Sequence, residues 1–235
     1  MQRILLFLLL LPILSFAQNR RKKDYLVTLT TDYGPMRLIL FDQTPKHKEN
    51  FIKLVDQKFY DGLLFHRVIP QFMIQGGDST SRRAQPGQPL GTGDVGYKIP
   101  AEIWPELFHK KGALAAARDN NPQKASSGSQ FYVVQGRVWS DEELRKQIER
   151  GRTRAPERVV TDAQKQAYKT LGGSPHLDGA YTVFGEVIDG LAVVDSIAKQ
   201  PRDGTDRPLK DVRMTASGQW VKKKKITKQY HYQYQ

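Results

Sequence analysis

The chain has 235 residues, of which 37 are Lys or Arg and 24 are Asp or Glu, which gives a net charge of +13. Its hydrophobic fraction of 39% can supply a core, and its length permits one domain or two. The absence of cysteine from the sequence excludes disulfides, thiolate metal ligands and cysteine nucleophiles.

The first residues have the pattern of an export signal. Arg3 precedes an apolar run over residues 4–14, and Ala17 ends the stretch with a small residue of the kind that a signal peptidase reads. This run is shorter than the ~20 residues that a membrane span needs. We therefore expect a signal peptide over residues 1–17, cleavage near Ala17, and a product that is periplasmic or secreted.

Much of the positive charge lies at the two ends of the chain that remains. Residues 18–24 form a basic linker, and residues 221–235 form a basic C-terminal tail. The charges do not lie on one face laced with aromatic side chains, so we expect no specific nucleic acid partner. The pattern favours solvated ends that make weak contact with a polyanion, such as an anionic membrane or a cell-wall polymer.

The sequence after the basic linker predicts a hairpin and then one amphipathic helix. Two β-rich runs, 26–30 and 36–41, surround a cluster of turn residues. Thr44 is the expected N-cap of the helix, with Pro45 at its first position, and apolar residues then repeat at helical spacing as far as Lys58.

The middle of the chain alternates short strands with loops. Residues 63–77 predict two strands joined by a bend at Pro70. Residues 82–96 are rich in Gly, Pro, Ser and Gln and predict a long surface loop. Residues 112–117 and 131–134 predict two further strands.

Two charged helices interrupt the β pattern over about residues 137–173. Ser140 caps the first helix and Thr161 caps the second. Their charged faces favour a solvated surface feature over a docking site, although both remain open. A strand, a short helix and a last strand are then predicted over residues 182–187, 191–197 and 209–216.

No motif in the sequence indicates a cofactor or a metal. Gly91, Gly93 and Gly96 match a dinucleotide-binding pattern, but Pro100 stands where that site needs the start of a helix. The five histidines show no metal-ligand spacing, and Ser129 lacks the strained turn of a hydrolase nucleophile. We therefore expect no cofactor and no metal.

Arg67 is the most informative single residue, because it stands within an apolar strand. A cation flanked by Phe65 and Val68 is costly to bury without a partner. It either forms an ion pair with a nearby acid, such as Asp61 or Asp78, or faces a pocket. Taken alone, the residues favour the ion pair.

Three sequence blocks resemble the signature blocks of cyclophilins, in the order that the family has them. The blocks are residues 65–78, 128–132 and 177–185. The resemblance extends over about residues 26–216 and is interrupted mainly at 137–173, where the two helices look inserted. It implies a mainly β fold, in which a closed eight-stranded antiparallel barrel is capped by two helices and carries a helical insertion. The corresponding domain is residues 25–220.

The resemblance also implies an activity, peptidyl-prolyl cis/trans isomerisation, which would assist the folding of exported proteins. Rotation about an X-Pro bond breaks no covalent bond, and its barrier of about 18–20 kcal/mol comes from amide resonance. A cation that bonds to the proline nitrogen as it becomes pyramidal would stabilise the twisted state more than the planar state. By resemblance, Arg67 would be that donor.

The other site residues follow from the same resemblance. The catalytic set would be Arg67, Gln75 and Phe72, with Gln75 bonding the substrate backbone. The apolar slot for the proline ring would be formed by Phe72, Met73, Tyr132 and Leu177. The remaining substrate-binding residues would be His66, Ala117, Arg118, Gln130, His176 and Tyr181. The backbone around Ala117 and Arg118 would pair with the residue that precedes the proline.

Three positions depart from the eukaryotic cyclophilin pattern. His176 stands where tryptophan is common, Arg118 where asparagine is usual, and Tyr181 where histidine is usual. We expect catalysis to persist and tight cyclosporin binding to be lost. The expected partners are proline-containing polypeptides, bound by a monomer. Two alternatives stay open, a proline-binding chaperone or scaffold with little catalysis, and a basic module that binds polyanions through its ends.

Overall fold

The computed structural model describes residues 22–234, so the predicted signal peptide lies outside the described residues. Ten strands are found in this part of the chain: β1 (Lys23–Thr31), β2 (Gly34–Leu40), β3 (Phe65–Ile69), β4 (Met73–Gly76), β5 (Lys98–Ile99), β6 (Ala113–Ala116), β7 (Ser126–Ser127), β8 (Phe131–Val134), β9 (Val183–Asp189) and β10 (Thr215–Lys222). Its five α-helices are α1 (Pro45–Asp56), α2 (Asp141–Arg152), α3 (Asp162–Thr170), α4 (Leu191–Ala198) and α5 (Lys223–Tyr230).

Eight of these strands form one antiparallel sheet in the order β10-β1-β2-β9-β6-β8-β4-β3, and β5 pairs with β7 separately. The two end strands, β10 and β3, do not pair as strands. An isolated bridge joins Leu64 to Arg213, and backbone hydrogen bonds such as that from the Phe65 N–H to the Val212 carbonyl at 2.9 Å lie beside it. The mainly β, eight-stranded prediction is therefore confirmed, but the closed barrel is wrong. The sheet is an open, curled half-barrel, because closure requires strand tilt and stagger that bring β10 and β3 into register, and the family resemblance did not specify these for this chain.

The last strand begins later than the sequence predicts. Residues 209–216 were the expected strand, whereas β10 starts at Thr215. The chain before it is held in turns, in which the Asp203 N–H donates to the Arg207 carbonyl at 2.9 Å. The strand therefore begins only after this turn region.

The core lies on the concave side of the sheet, where two helices cover it. Phe51 and Leu54 of α1 and Val194 and Ile197 of α4 belong to the same buried cluster as Phe131 of β8. Each such side chain contributes roughly 1.5–3 kcal/mol through burial. The predicted opening hairpin and the helix that follows it are confirmed. The predicted loop over residues 82–96 is irregular from residue 84 onward, since a 3-10 helix over Ser79–Arg83 includes its first two residues.

The start of α1 differs from the sequence interpretation. Pro45 does occupy its first turn, but the Thr44 side chain makes no capping hydrogen bond. Instead, the Glu102 carboxylate accepts the backbone N–H groups of Lys46 and His47, each at 3.0 Å. A carboxylate is favourable there because it satisfies unpaired N–H groups at the positive end of the helix dipole.

The two charged helices of the insertion begin where the sequence predicts. Ser140 caps α2 and Thr161 caps α3, and each forms a capping box with the third helical residue, Glu143 or Gln164. A loss of either cap would cost about 1 kcal/mol.

The predicted solvated C-terminal tail is instead folded. β10 continues to Lys222, α5 follows, and Ile226 is fully buried on the outer face of the sheet beside Leu26 and Ile39. Tyr232 packs on the same cluster. The prediction of a solvated tail was based on the lysines and did not take into account the apolar residues among them. At the other end, β1 already begins inside the predicted basic linker, at Lys23.

Among residues 22–234, no helix is both long enough and apolar enough to cross a membrane.

Candidate active site

A cavity of about 190 Å³, here called the proline cavity, opens on the sheet. Its lining residues are Arg67, Phe72, Met73, Gln75, Ala117, Arg118, Tyr132, Leu177 and Tyr181. All of them belong to the set that the sequence resemblance assigned.

Strand register explains why residues so far apart in sequence meet here. Arg67 of β3 lies opposite Gln75 of β4, and Gln75 lies opposite Tyr132 of β8. Directly opposite residues point to the same face of a sheet. The antiparallel ladder therefore places a cation, an amide and an aromatic ring side by side.

Arg67 faces the cavity and is not locked in an interior ion pair. Its side chain is 42% exposed, and its Nε lies 3.5 Å from a carboxylate oxygen of Asp206. Asp206 is shared with Arg202, which approaches it at 3.0 Å. An exposed, shared ion pair of this kind contributes little to stability, so it leaves the guanidinium free to meet a ligand.

Neither acid that the sequence offered as a partner pairs with Arg67. The Asp61 carboxylate accepts the Ala216 N–H at 2.9 Å. Asp78 accepts both the backbone N–H and the hydroxyl of Thr80, at 2.7 and 2.6 Å. Asp61 therefore ties the chain before β3 to β10, and Asp78 stabilises the turn that follows β4. Proximity in sequence did not identify the partner of Arg67.

A chain of side-chain amides orients Arg67 from the loop over residues 82–96. Gln130 Nε2 donates to the carbonyls of Gly91 and Gly93 at 2.9 and 2.7 Å. Gln130 Oε1 accepts from Gln75 Nε2 at 3.0 Å, and Gln75 Oε1 accepts from Arg67 Nη1 at 3.5 Å. Gln130 thus positions Gln75 and is not among the lining residues of the cavity, and its contact with substrate stays a prediction.

His66 is also placed away from the proline cavity. Its side chain is buried beneath the same loop, where an added methyl group at Gly91 would approach its ring to 3.8 Å. Burial lowers the pKa of His66 to about 4, although the nearby Asp78 carboxylate acts to raise this pKa. His66 does not line the proline cavity, because its neighbour Arg67 points to the cavity side of the strand, and its contact with substrate stays a prediction.

His66 should make the protein sensitive to acid. The unfolded chain binds a proton near pH 6.5 and the folded chain only near pH 4, so acidification through this window favours unfolding. Between pH 7 and pH 4, the free energy of unfolding should therefore fall by about 3 kcal/mol less in His66→Phe than in wild type. Urea unfolding at both pH values measures this, and identical losses would contradict it.

His176 supports the cavity from the side. Its ring packs against Phe72 with centroids 5.5 Å apart, and the residue itself does not line the cavity. Burial lowers the pKa of His176 to about 4, so the ring is neutral at pH 7. Its ring contact supports Phe72, and a direct contact of His176 with substrate stays a prediction.

Tyr132 is held from below by a buried residue that sequence reasoning missed. Its hydroxyl lies 2.9 Å from His109 Nε2, and His109 is fully buried. His109 Nδ1 lies 2.9 Å from the Asp178 carboxylate, so Nδ1 carries the proton and Nε2 accepts from the Tyr132 hydroxyl. Burial raises the pKa of Tyr132 well above its usual value and keeps it neutral.

Asp178 connects this chain to the helical insertion. Its carboxylate also accepts the hydroxyl of Tyr168 from α3 at 2.7 Å, and Arg158 approaches it at 3.7 Å. Asp178 is 2% exposed, so it depends on these partners. The insertion therefore supports the wall of the proline cavity through a continuous set of hydrogen bonds.

Arg118 and Ala117 form the opposite wall. The Arg118 guanidinium lies 4.7 Å from the centre of the Tyr181 ring and donates to the Ala180 carbonyl at 2.9 Å. The Ala117 N–H and carbonyl are already bonded to Gln130 and Ser127. The Ala117 N–H is therefore not free to pair with a peptide, and the backbone of Arg118 is the better candidate for the predicted pairing.

A curled eight-stranded half-barrel with this cleft defines a class of proline-directed isomerases, and comparison with known proteins gives the same class. The family model described as "Cyclophilin type peptidyl-prolyl cis-trans isomerase/CLD" matches residues 26–219. The chain belongs to the cyclophilin-type peptidyl-prolyl cis-trans isomerase family, which are enzymes of the isomerase class.

Two relatives show the extent of the similarity. A Streptococcus pyogenes serotype M6 protein named "Putative bifunctional phosphatase/peptidyl-prolyl cis-trans isomerase" is 39% identical over 79% of this chain, which spans 37% of that longer protein. The Gallus gallus protein "Peptidyl-prolyl cis-trans isomerase-like 3" is 34% identical over 80% of this chain and 91% of its own length.

A solved structure shows the same fold. The cyclophilin type peptidyl-prolyl cis-trans isomerase of Cryptosporidium parvum is 25% identical to this chain, with a TM-score of 0.61 over 84% of this chain and 98% of that one. A second structure of that protein, determined in the presence of the dipeptide Ala-Pro, has a TM-score of 0.57 over 82% and 97% of the two chains, again at 25% identity.

Proposed function

We propose that this protein accelerates rotation about X-Pro bonds in exported polypeptides, with the proline ring held in the proline cavity. The observation that carries this proposal is the half-exposed Arg67 guanidinium beside an apolar wall that includes Phe72 and Leu177. The Cryptosporidium parvum relative studied in the presence of Ala-Pro supports proline-containing peptides as the substrate class.

Arg67 would act on the twisted amide. As the bond rotates, conjugation is lost and the proline nitrogen becomes a hydrogen-bond acceptor, which the planar amide is not. A guanidinium that donates to this nitrogen binds the transition state more tightly than either ground state. No covalent bond forms or breaks in the protein or the peptide.

Gln75 and Arg118 would align the peptide on either side of the proline. Gln75 uses one amide hydrogen for Gln130, and its second hydrogen is left for a substrate carbonyl. The backbone of Arg118 follows β6 and would pair with the residue before the proline, as a peptide does at a strand edge.

A protease-coupled assay on an Ala-Pro peptide tests the proposed activity. We expect the purified protein to accelerate the slow cis-to-trans phase in proportion to its concentration. A protein that binds the peptide without accelerating this phase would instead match the alternative of a proline-binding chaperone or scaffold.

Export is the part of the proposal that depends on the N-terminal sequence. We expect the protein recovered from the periplasm or the medium to lack residues 1–17. Intact mass spectrometry measures this directly. A recovered chain that still carries Met1 to Ala17 would contradict the signal peptide.

Weak polyanion contact by a monomer is a further part of the proposal, and its support is the exposed basic face of α5. Lys224, Lys225 and Lys228 are exposed and lack an ion-pair partner among the described residues. We expect their triple replacement by Glu to lower the salt concentration at which heparin releases the protein.

A matched triple replacement provides the control for this experiment. Arg145, Lys146 and Lys165 lie exposed on the insertion helices, and their replacement by Glu changes the net charge equally. Equal shifts in both triple variants would show that only net charge matters and would contradict a role for α5.

A further inference from the structure

A second cavity, here called the insertion cavity, lies beside the proline cavity and has a volume of about 230 Å³. One wall is residues 155–158, from the turn between α2 and α3, and the other is residues 103–105. Lys124 and Gly179 complete the lining. Without the insertion, the cavity would lose one of its two walls.

Gly179 joins this cavity to the substrate cleft. It lies two residues from Leu177 and two from Tyr181, which both line the proline cavity. Two residues span at most about 7.6 Å between Cα atoms, so lining residues of the two cavities lie close enough for one bound peptide to contact both. A methyl group added at Gly179 would lie 2.8 Å from the Ala155 Cβ, so the insertion packs directly against this turn.

Buried hydrogen bonds hold the two walls at a fixed separation. Gln164 of α3 is 6% exposed; its Oε1 accepts from Arg158 Nη2 at 2.9 Å and its Nε2 donates to the Pro105 carbonyl at 2.7 Å. Trp104 is anchored separately, because its indole N–H donates to the Gln43 carbonyl at 2.8 Å. The insertion cavity is therefore formed before any ligand arrives.

The lining favours a ring. Trp104 is 47% exposed despite its size, and Pro105, Pro156 and Ile103 add further apolar surface to the same lining. The volume is below the roughly 300 Å³ of the smallest typical small-molecule sites and is comparable with that of the proline cavity, which suits one side chain. An aromatic ring packs well against indole and proline.

We propose that the insertion cavity binds an aromatic side chain of the same polypeptide whose proline occupies the proline cavity. This inference rests on the proposed function and gives the helical insertion a role in sequence selectivity. Substrates that carry a suitably spaced aromatic residue are then preferred over otherwise identical peptides.

A peptide series tests the preference. Phenylalanine is placed, one position at a time, on either side of the Ala-Pro unit in an otherwise alanine-rich peptide, and kcat/KM is measured for each. We expect one placement to raise kcat/KM by about three- to tenfold over the alanine peptide. In Trp104→Ala, the ratio of kcat/KM for that peptide to kcat/KM for the alanine peptide should fall to near one.

Two further variants separate the cavity from a general effect on folding. Trp104→Phe keeps a ring in the wall and should retain most of the preference. Trp220→Ala removes another exposed tryptophan, on β10, and should retain all of it. A preference that is absent in wild type, or that survives unchanged in Trp104→Ala, would overturn the inference.

Fluorescence titration tests the inference independently of catalysis. The phenylalanine peptide should change the tryptophan emission of wild type, and this change should be lost in Trp104→Ala. If wild type isomerises no peptide but its tryptophan emission changes with the phenylalanine peptide, the proposed function is wrong and the aromatic site is supported. If it isomerises peptides but binds both peptides equally, the aromatic site is wrong while the proposed function stands.

Discussion

Replacement of Arg67 by alanine is expected to lower kcat/KM for a proline peptide by about 10²- to 10³-fold, which is the usual loss when one transition-state donor is removed. The melting temperature should change little, because the ion pair between Arg67 and Asp206 is exposed and contributes about 0–1 kcal/mol. Isomerase assays and thermal unfolding of the same preparations measure both quantities.

Arg202→Ala is the matched control for this prediction. Arg202 also pairs with Asp206 but does not line the proline cavity, so its loss should leave kcat/KM within about twofold of wild type. Arg67→Lys should give an intermediate rate, since lysine keeps the charge without the planar donor fork. Full activity in Arg67→Ala would remove the basis of the proposed mechanism.

Replacement of Asp178 by alanine is expected to lower the free energy of unfolding by about 3–5 kcal/mol. The change leaves the His109 Nδ1–H and the Tyr168 hydroxyl without their buried acceptor, and it leaves Arg158 without its buried counter-charge. KM for proline peptides should rise as well, since Tyr132 loses the support of an oriented His109. Urea unfolding and steady-state kinetics measure the two effects.

Tyr168→Phe is the graded control for Asp178. It removes one hydrogen bond and leaves the acid in place, so the free energy of unfolding should fall by only about 1–2 kcal/mol. A smaller loss in Asp178→Ala than in Tyr168→Phe would contradict the role of Asp178 as the common acceptor of this network.

The lining of the proline cavity could be predicted because local sequence blocks carry it. The strand pair that contains Arg67 and Gln75 is continuous in sequence, and its two-residue alternation sends both side chains to one face. Tyr132 then joins them through one strand pairing. Short-range patterns therefore determine most of this wall once the family resemblance fixes the strand order.

The supporting residues could not be predicted in the same way. His109 and Asp178 are 69 positions apart, and Tyr168 reaches them from the insertion. Nothing in the local pattern around His109 distinguishes a buried hydrogen-bonding residue from an exposed one. The same limit applies to His66. Successive side chains of a strand point to opposite faces, so His66 is buried while its neighbour Arg67 lines the cavity.

Closure of the sheet and the fate of the C-terminal residues were misjudged for a related reason. Closure requires pairing between β10 and β3, which are far apart in the sequence. The fold of the C-terminal residues depends on contacts between the ends of the chain, such as the pairing of Lys23 with Lys222 that aligns β1 and β10. Charge composition suggested solvated ends, but Ile226 and the tyrosines beyond it supply enough apolar surface to fold the segment.

The C-terminal segment has a practical consequence for anyone who shortens this protein. Truncation after Lys222 would bare Leu26 and Ile39 on the convex side of the sheet, where Ile226 now shields them. A bared apolar patch of this kind invites self-association. Loss of solubility in a trimmed variant would then report an uncovered sheet rather than a damaged catalytic cleft.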